Sequence, residues 1–385
     1  MTSPAASTAS AAARTAFAAA LAQEPGVHDS AIVAAMARMP RHQLMPRLFA
    51  PLGNDRPARQ WRLLDVADDP EQHLAVCYGM DQVVVQLDGR PTGPLTPGTE
   101  YAGVPTGQSS GAGLLAVTVQ DVHLGPGDRF LELGACTGYL SAVAADLTGR
   151  QATGVEVDRE LARDAAMRLA AIGADVRVVV RDGLRGLPDG EWDVIAASFA
   201  VRRIPTAWLQ RLAPGGRLRT TVTTGAPGWH ATALVHRDEA GVLSGRLAAE
   251  LWGNVPDRAG GWIPLPNTPA DSGRSRSSVL APPEPAERGY WVALAHTLPG
   301  VRRHWNAPGF DDEAVLVASD GSRAAVTRDG SHAVEWGPRS LWREAEELHA
   351  RWAAAGRPAE YRLEFTGAVQ RAVGGPGLSW QLPMD

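Results

Sequence analysis

The chain has 385 residues, 44% hydrophobic and 21% charged, and a formal net charge of −5. That length supports two or three domains with ordinary cores, and no apolar run approaches the ~20 residues of a membrane span. The acidic balance argues against nucleic acid as a partner, and nothing points to a membrane surface.

Two cysteines, Cys77 and Cys136, are too few for a disulfide framework. The Ala-rich start up to Ala22 carries no charge before Arg14, so it lacks the basic opening of a secretory signal. A reducing, cytoplasmic setting is expected. In chain order, Ser30 is placed to cap a helix over 31–39, with Ile32, Val33, Met36 and Met39 at helical spacing and Pro40 ending it. Residues 54–105 are irregular apart from a strand near Val83, and 114–122 predicts a further helix.

Period and composition then change together. Short apolar runs at 129–133, 152–157, 176–180, 193–198 and 216–221 alternate with helical stretches such as 140–147 and 159–172. This is the pattern of βαβ units, and it predicts an α/β class with a doubly wound, Rossmann-like parallel sheet. A Pro-, Gly- and Ser-rich stretch over 256–285 reads as loop or linker. Beyond it, 289–298 and 313–326 read as strands, 341–355 as an amphipathic helix and 361–366 as a strand. The expected domains are therefore 1–225, comprising a helical N-terminal extension (1–125) and a Rossmann-like core (126–225), followed by a C-terminal α+β domain, 226–385.

The chemistry concentrates at FLELGACTGY, 130–139. Gly134 and Gly138 allow a tight turn after the first strand, and the following helix offers its N-terminal amides to a carboxylate. Glu156 ends the second strand, where a carboxylate can accept both hydroxyls of a ribose. Asp182, in Arg-Asp-Gly after the third strand, is placed to meet an adenine edge. A glycine turn alone is a weak signal; the ordered series of turn, acid, Asp-Gly and loop after strand four is what points to S-adenosylmethionine. The candidate cofactor residues are Glu132, Leu133, Gly134, Ala135, Cys136, Gly138, Tyr139, Glu156, Val157, Asp182, Gly183 and Ser198. A nicotinamide dinucleotide is the competing ligand, although Cys136 stands where a three-glycine phosphate turn wants glycine. With no HExxH and no tight Cys/His spacing, no metal site is expected.

Five motifs then resemble one family: MPRHQLMP (39–46), PGDRFLELGACTGYLSAVAA (126–145), RDG (181–183), WDVIAASFAVRRIP (192–205) and LAPGGRL (212–218). Over the first 225 residues their order and spacing are similar to protein L-isoaspartate O-methyltransferases. The resemblance implies a class I methyltransferase that converts S-adenosyl-L-methionine to S-adenosyl-L-homocysteine while methylating a peptide carboxylate. It also implies a substrate serine two residues before a helix-opening proline. Here that serine is Ser110, next to Ser109, while the proline position holds Ala112. Such a carboxylate is already ionised near neutral pH, so orientation rather than a strong base supplies the rate.

The length of the tail and WGPRSLWREAEELHARWAAAGRP (336–358) resemble the long methyltransferases of ribosomal-peptide maturation, those of graspetides and lanthipeptides. That resemblance implies a macrocyclised ribosomal precursor peptide as partner, with an Asp converted to a succinimide (aspartimide) or to isoaspartate. Repair of isoaspartyl proteins is the first alternative, and a non-catalytic binding subunit that kept the fold is the second. Arg202 and Arg203, after strand four, are candidates to clamp an acidic peptide, against the plainer role of solvated arginines. His42 is a substrate-side candidate, against the plainer role of closing a helix end. Eight of the twelve tryptophans follow residue 250; Trp342 and Trp352 share one helix and are expected in a core.

Overall fold

The Ala-rich start folds as a helix, Pro4–Leu21, that buries Phe17 and Leu21 one turn apart on one face. The next helix, Ser30–Arg38, buries Ile32, Ala35 and Met36 at the same spacing. Its cap is Asp29 rather than Ser30: the carboxylate accepts from the Ala31 N–H at 2.8 Å and the Ile32 N–H at 3.3 Å. An anionic acceptor at this position satisfies two orphan amides and suits the helix dipole. The structure, a computed structural model, describes residues 4–53, 60–223, 230–249, 273–284, 286–305 and 313–383.

The N-terminal extension also holds a six-stranded antiparallel sheet in addition to its helices. Its strands are Arg47–Pro51, Gln60–Asp65, Val83–Leu87, Arg90–Pro91, Glu100–Ala102 and Pro105–Ser109. Only Val83–Leu87, buried at every position, carries a clear signal in the sequence. Arg90–Pro91 and Glu100–Ala102 are too short to show a period, Pro105–Ser109 contains Pro and Gly, and Arg47–Pro51 and Gln60–Asp65 lack a clean alternation of apolar and polar residues. Phe49, Trp61, Leu63, Val84 and Leu87 form the core against this sheet.

The central sheet follows the expected runs. Its strands are β1 (Phe130–Leu133), β2 (Ala152–Glu156), β3 (Val176–Val180), β4 (Trp192–Val201) and β5 (Leu212–Thr223), in the order 3-2-1-4-5. The β1–β2, β2–β3 and β1–β4 pairs are parallel. The order reverses beside β1, and ligands of open α/β sheets bind at the carboxyl ends of the strands at such a switch point. Around the sheet lie α1 (Ala112–Asp121), α2 (Tyr139–Thr148), α3 (Arg159–Ala171) and α4 (Thr206–Gln210). In α1 every residue from Ala112 to Val119 is buried, as the all-round apolar AGLLAVTV requires. In α3 only Leu161, Ala162, Ala165 and Leu169 are buried, so it is a half-covered surface helix capped by Asp158.

The chain divides into two compact units, one of Met1–Phe199, Pro205–Thr220 and His236–Val242, the other of Ala200–Ile204, Thr221–Val235 and Leu243–Asp385. The second unit contains antiparallel strands Leu243–Ala248, Glu360–Thr366, Val369–Gly375 and Leu378–Gln381. A separate five-stranded antiparallel sheet is built from Arg274–Ser277, Arg302–Trp305, Glu313–Val317, Arg323–Thr327 and His332–Trp336. Two expectations change here. Residues 289–298 are not a strand but a helix, Arg288–Thr297, buried from Gly289 to Ala295. An apolar run buried on all sides carries no period that separates strand from helix. Residues 313–326 are not one strand but a hairpin, turned at Asp320-Gly321 with Gly321 at φ +85°. The helix Leu341–Ala354 lies where it was expected, and its Trp342 and Trp352 are core residues, with indole N–H groups donating to Ser278 Oγ at 2.8 Å and Pro358 O at 3.0 Å. Trp252 and Trp262 lie outside the described residues.

Candidate active site

β1 feeds a turn in which Gly134, Cys136 and Gly138 all adopt positive φ, +82°, +49° and +74°. Glycine takes this conformation without penalty; Cys136 does not. Space is equally restrictive, because a Cβ on Gly134 would stand 2.9 Å from Phe199 and one on Gly138 2.6 Å from Leu169. The Gly134 and Ala135 amides both donate to the Val155 carbonyl, at 2.9 and 3.0 Å, and so fasten the turn to β2. Gly138 then opens α2 with no side-chain cap. That arrangement leaves the positive end of a helix to an anion.

Two carboxylates organise this turn. Glu156 accepts the Cys136 N–H at 2.8 Å on one oxygen and the Asp158 N–H at 3.0 Å on the other. Each oxygen keeps a second lone pair, which is what a ribose diol requires. Burial pushes its carboxyl up, against the pull of the Asp158 and Cys136 amides. Glu132, only 3% exposed, accepts from Ser141 Oγ at 2.6 Å and Ser198 Oγ at 2.9 Å. Its burial outweighs those donors and raises it to about 7, with the charge of Glu156 adding to the rise.

Glu132 and Ser198 line a pocket together with Gly134, Ala135, Cys136, Ser109 and Ser110. Seven candidates from sequence thus meet in one place. Gln108, Leu115, Thr137 and Leu140 line it too and were not foreseen. Each is an apolar or uncharged neighbour of a foreseen residue, so the only available signal was position: Thr137 within the turn, Gln108 beside the serines, Leu115 and Leu140 in the first turns of the helices that follow.

The remaining candidates stand elsewhere. The Arg181 amide bonds the Glu156 carbonyl at 2.9 Å, bringing the end of β3 beside the end of β2. Just beyond, the Asp182 carboxylate accepts the Leu184 N–H at 2.9 Å and pairs with Arg185 at 3.3 Å. Gly183 accepts the Trp208 indole N–H at 2.8 Å. Val157 and Leu184 are apolar yet each 47% exposed. Leu133 is buried in β1. Tyr139 points its hydroxyl to the Met36 carbonyl at 2.7 Å, with the Arg41 guanidinium over its ring, so the side chain packs against the N-terminal helices. His42 Nδ1 meets the Tyr78 hydroxyl at 2.8 Å, and burial, with His73 and Arg14 nearby, holds the ring below its ordinary value. In the second unit Arg202 is exposed, whereas Arg203 is 7% exposed and donates to the Ala368 carbonyl at 2.7 Å. Among the described residues no group of three or more His, Cys, Asp or Glu is placed to hold a metal ion. No helix among them is long and apolar enough to cross a membrane.

Residues 103–246 match the protein-L-isoaspartate(D-aspartate) O-methyltransferase family model. The chain is 32% identical over 195 residues to the protein-L-isoaspartate O-methyltransferase of Methanoregula boonei, covering 50% of this chain and 70% of that protein. It is 31% identical over 201 residues to the one from Picosynechococcus sp., covering 52% and 71%. Against the Methylorubrum populi protein of the same name identity is 40% over 116 residues, 30% of this chain and 53% of that protein. The chain spans about half the length of that protein and of three further relatives. A solved protein-L-isoaspartate O-methyltransferase is 19% identical, with a TM-score of 0.49 over 96% of this chain and 98% of that one.

Proposed function

This chain belongs to the protein-L-isoaspartate O-methyltransferase family, and from that premise we propose that it methylates isoaspartyl carboxylates of proteins or peptides, using S-adenosylmethionine. One observation carries the reading: the substrate serines, Ser109 and Ser110, and the cofactor turn, Gly134 to Cys136, face one pocket.

The residues fit that cofactor. The uncapped start of α2 suits its carboxylate, Glu156 its ribose, and the exposed Val157 and Leu184 with Asp182 its adenine. Bound there, the cofactor supplies an electrophilic methyl group. Ser110 and the neighbouring backbone amides hold the substrate carboxylate and orient one of its oxygens. Because that carboxylate is ionised at neutral pH, none of the pocket residues has to remove a proton. The unpaired thiols Cys77 and Cys136 suit a reducing, cytoplasmic setting.

A second substrate, an Asp of a macrocyclised ribosomal peptide, draws support from the second unit, which among its described residues adds antiparallel strands and two helices after residue 243. In that reading this unit recognises the peptide, and the methyl ester closes to a succinimide. Family membership favours the isoaspartyl substrate. A peptide panel separates them: with cofactor, a linear isoaspartyl peptide is expected to gain a methyl group faster than its Asp counterpart or a cyclised Asp peptide. Turnover of the cyclised peptide alone would move the assignment to the second substrate. Ser110→Ala is expected to lower kcat/KM roughly 10- to 100-fold, the loss of one hydrogen bond to a charged group; an unchanged value removes Ser110 from the site.

A further inference from the structure

The strand Val83–Leu87 is buried along its whole length, yet one of its residues, Gln86, is polar and only 2% exposed. A buried amide has to find its partners inside the protein, and Gln86 has one on each side. Its Nε2 donates to Asp158 Oδ2 at 2.9 Å. Its Oε1 accepts from the Thr106 hydroxyl at 2.8 Å, and that hydroxyl in turn accepts the Gly89 N–H at 2.9 Å. The orientation of the amide follows from chemistry, since a carboxylate only accepts.

The pairing of Val83–Leu87 with Pro105–Ser109 is irregular on both sides of Gln86, and such a bulge re-aims the side chain it carries. Opposite Gln86 stands Gly107, where a Cβ would come within 2.9 Å of both Gln86 Cβ and Leu161 Cδ1. The strand that ends at Ser109 therefore sits directly against the first turn of α3. Asp158, at the start of that helix, divides its atoms between two tasks. Its Oδ1 accepts the Glu160 and Leu161 N–H groups at 2.9 and 3.0 Å and caps α3, which leaves Oδ2 to Gln86. Its own N–H donates to Glu156 Oε1 at 3.0 Å. A continuous series of hydrogen bonds thus runs from the serine-bearing strand, through Thr106, Gln86 and Asp158, to the acid assigned to the ribose.

We propose that Gln86 is a positioning residue: by holding Asp158 from the serine-bearing strand, it fixes Glu156 Oε1 for the ribose of the cofactor. The role rests on the assignment of Glu156 to the ribose, and not on which carboxylate is methylated. It explains why an amide is kept in a strand whose other four residues are apolar.

The test is the calorimetric Kd for S-adenosylhomocysteine of the full chain carrying Gln86→Met or Thr106→Val, each alone and combined with Glu156→Gln. Met keeps most of the bulk of glutamine and removes the amide, so Kd is expected to rise roughly 3- to 10-fold, the loss of one hydrogen bond. Thr106→Val, at an exposed position, removes only the hydroxyl that orients the amide. A rise of about 2- to 3-fold is expected there, and this variant carries the test if Gln86→Met does not fold. In the Glu156→Gln background both effects are expected to shrink below about 1.5-fold, because the residue they act through is gone; a general loosening of the fold would persist there. An unchanged Kd in Gln86→Met, or in Thr106→Val where Met does not fold, overturns the role, and so does an effect that survives undiminished in Glu156→Gln. If the wild-type chain binds S-adenosylhomocysteine but methylates no peptide, the functional reading fails, and the same Kd values still decide on Gln86. A wild-type chain that does not bind it overturns the role of Gln86 as well.

Discussion

Glu132 carries the pH dependence of the site. Its carboxyl ionises near 4.5 in the unfolded chain and at about 7 in the fold, because burial outweighs the donors Ser141 and Ser198. Between those values the folded state binds the extra proton, so stability falls as pH rises through this window, and the loss is complete above about 7. A gap of that size corresponds to about 3 kcal/mol for a single group. The cofactor-free protein is therefore expected to melt at a lower temperature at pH 8 than at pH 5.5, and Glu132→Gln to show a shallower dependence; thermal scans giving parallel profiles would rule this out. Of the residue-level chemistry, the acids and glycines were legible because each has a distinctive chemical or conformational requirement. The inward turn of Tyr139 and the burial of Arg203 were not, since both follow from partners more than 100 residues away, Met36 and Ala368.

Helix ends show how local signals compete. Asp29 and Ser30 are both good caps, and the chain uses the one whose carboxylate reaches two amides. Asp29→Ala is expected to cost about 1 kcal/mol in denaturant unfolding and Ser30→Ala a few tenths at most; the reverse order would restore the cap to Ser30. Gly138→Ala tests the turn in the same way. It sets a Cβ 2.6 Å from Leu169 at φ +74°, with a cost of about 2 kcal/mol or more expected and calorimetric binding of S-adenosylhomocysteine weakened; full stability together with full binding would show the turn to be more tolerant than its geometry. The five strands of the central sheet were readable because short apolar runs flanked by glycine have few other outcomes. The helix Arg288–Thr297 was misread because its burial erases the period, and the strands around Gln60–Asp65 and Glu100–Ala102 because pairing rather than pattern defines them.

At the scale of the molecule, two kinds of architecture share one chain: a 3-2-1-4-5 parallel sheet with its N-terminal extension, and a largely antiparallel second unit. The first was legible from periodicity and motif order. The second was legible only as α+β, since its Pro-, Gly- and Ser-rich approach and short strands carry little pattern. Everything that the proposed chemistry requires lies in the first unit: the pocket, its serines and the acids behind the turn. The proposed role of this pocket is methyl transfer to a carboxylate. Its most direct measurement follows the mass of a linear isoaspartyl peptide incubated with the full chain and S-adenosylmethionine, then treated with mild alkali. A gain of one methyl group that alkali removes as methanol is expected, with Ser110→Ala markedly slower. A peptide that never gains the methyl group, or a methyl group that survives alkali and so sits on nitrogen or carbon, would contradict it.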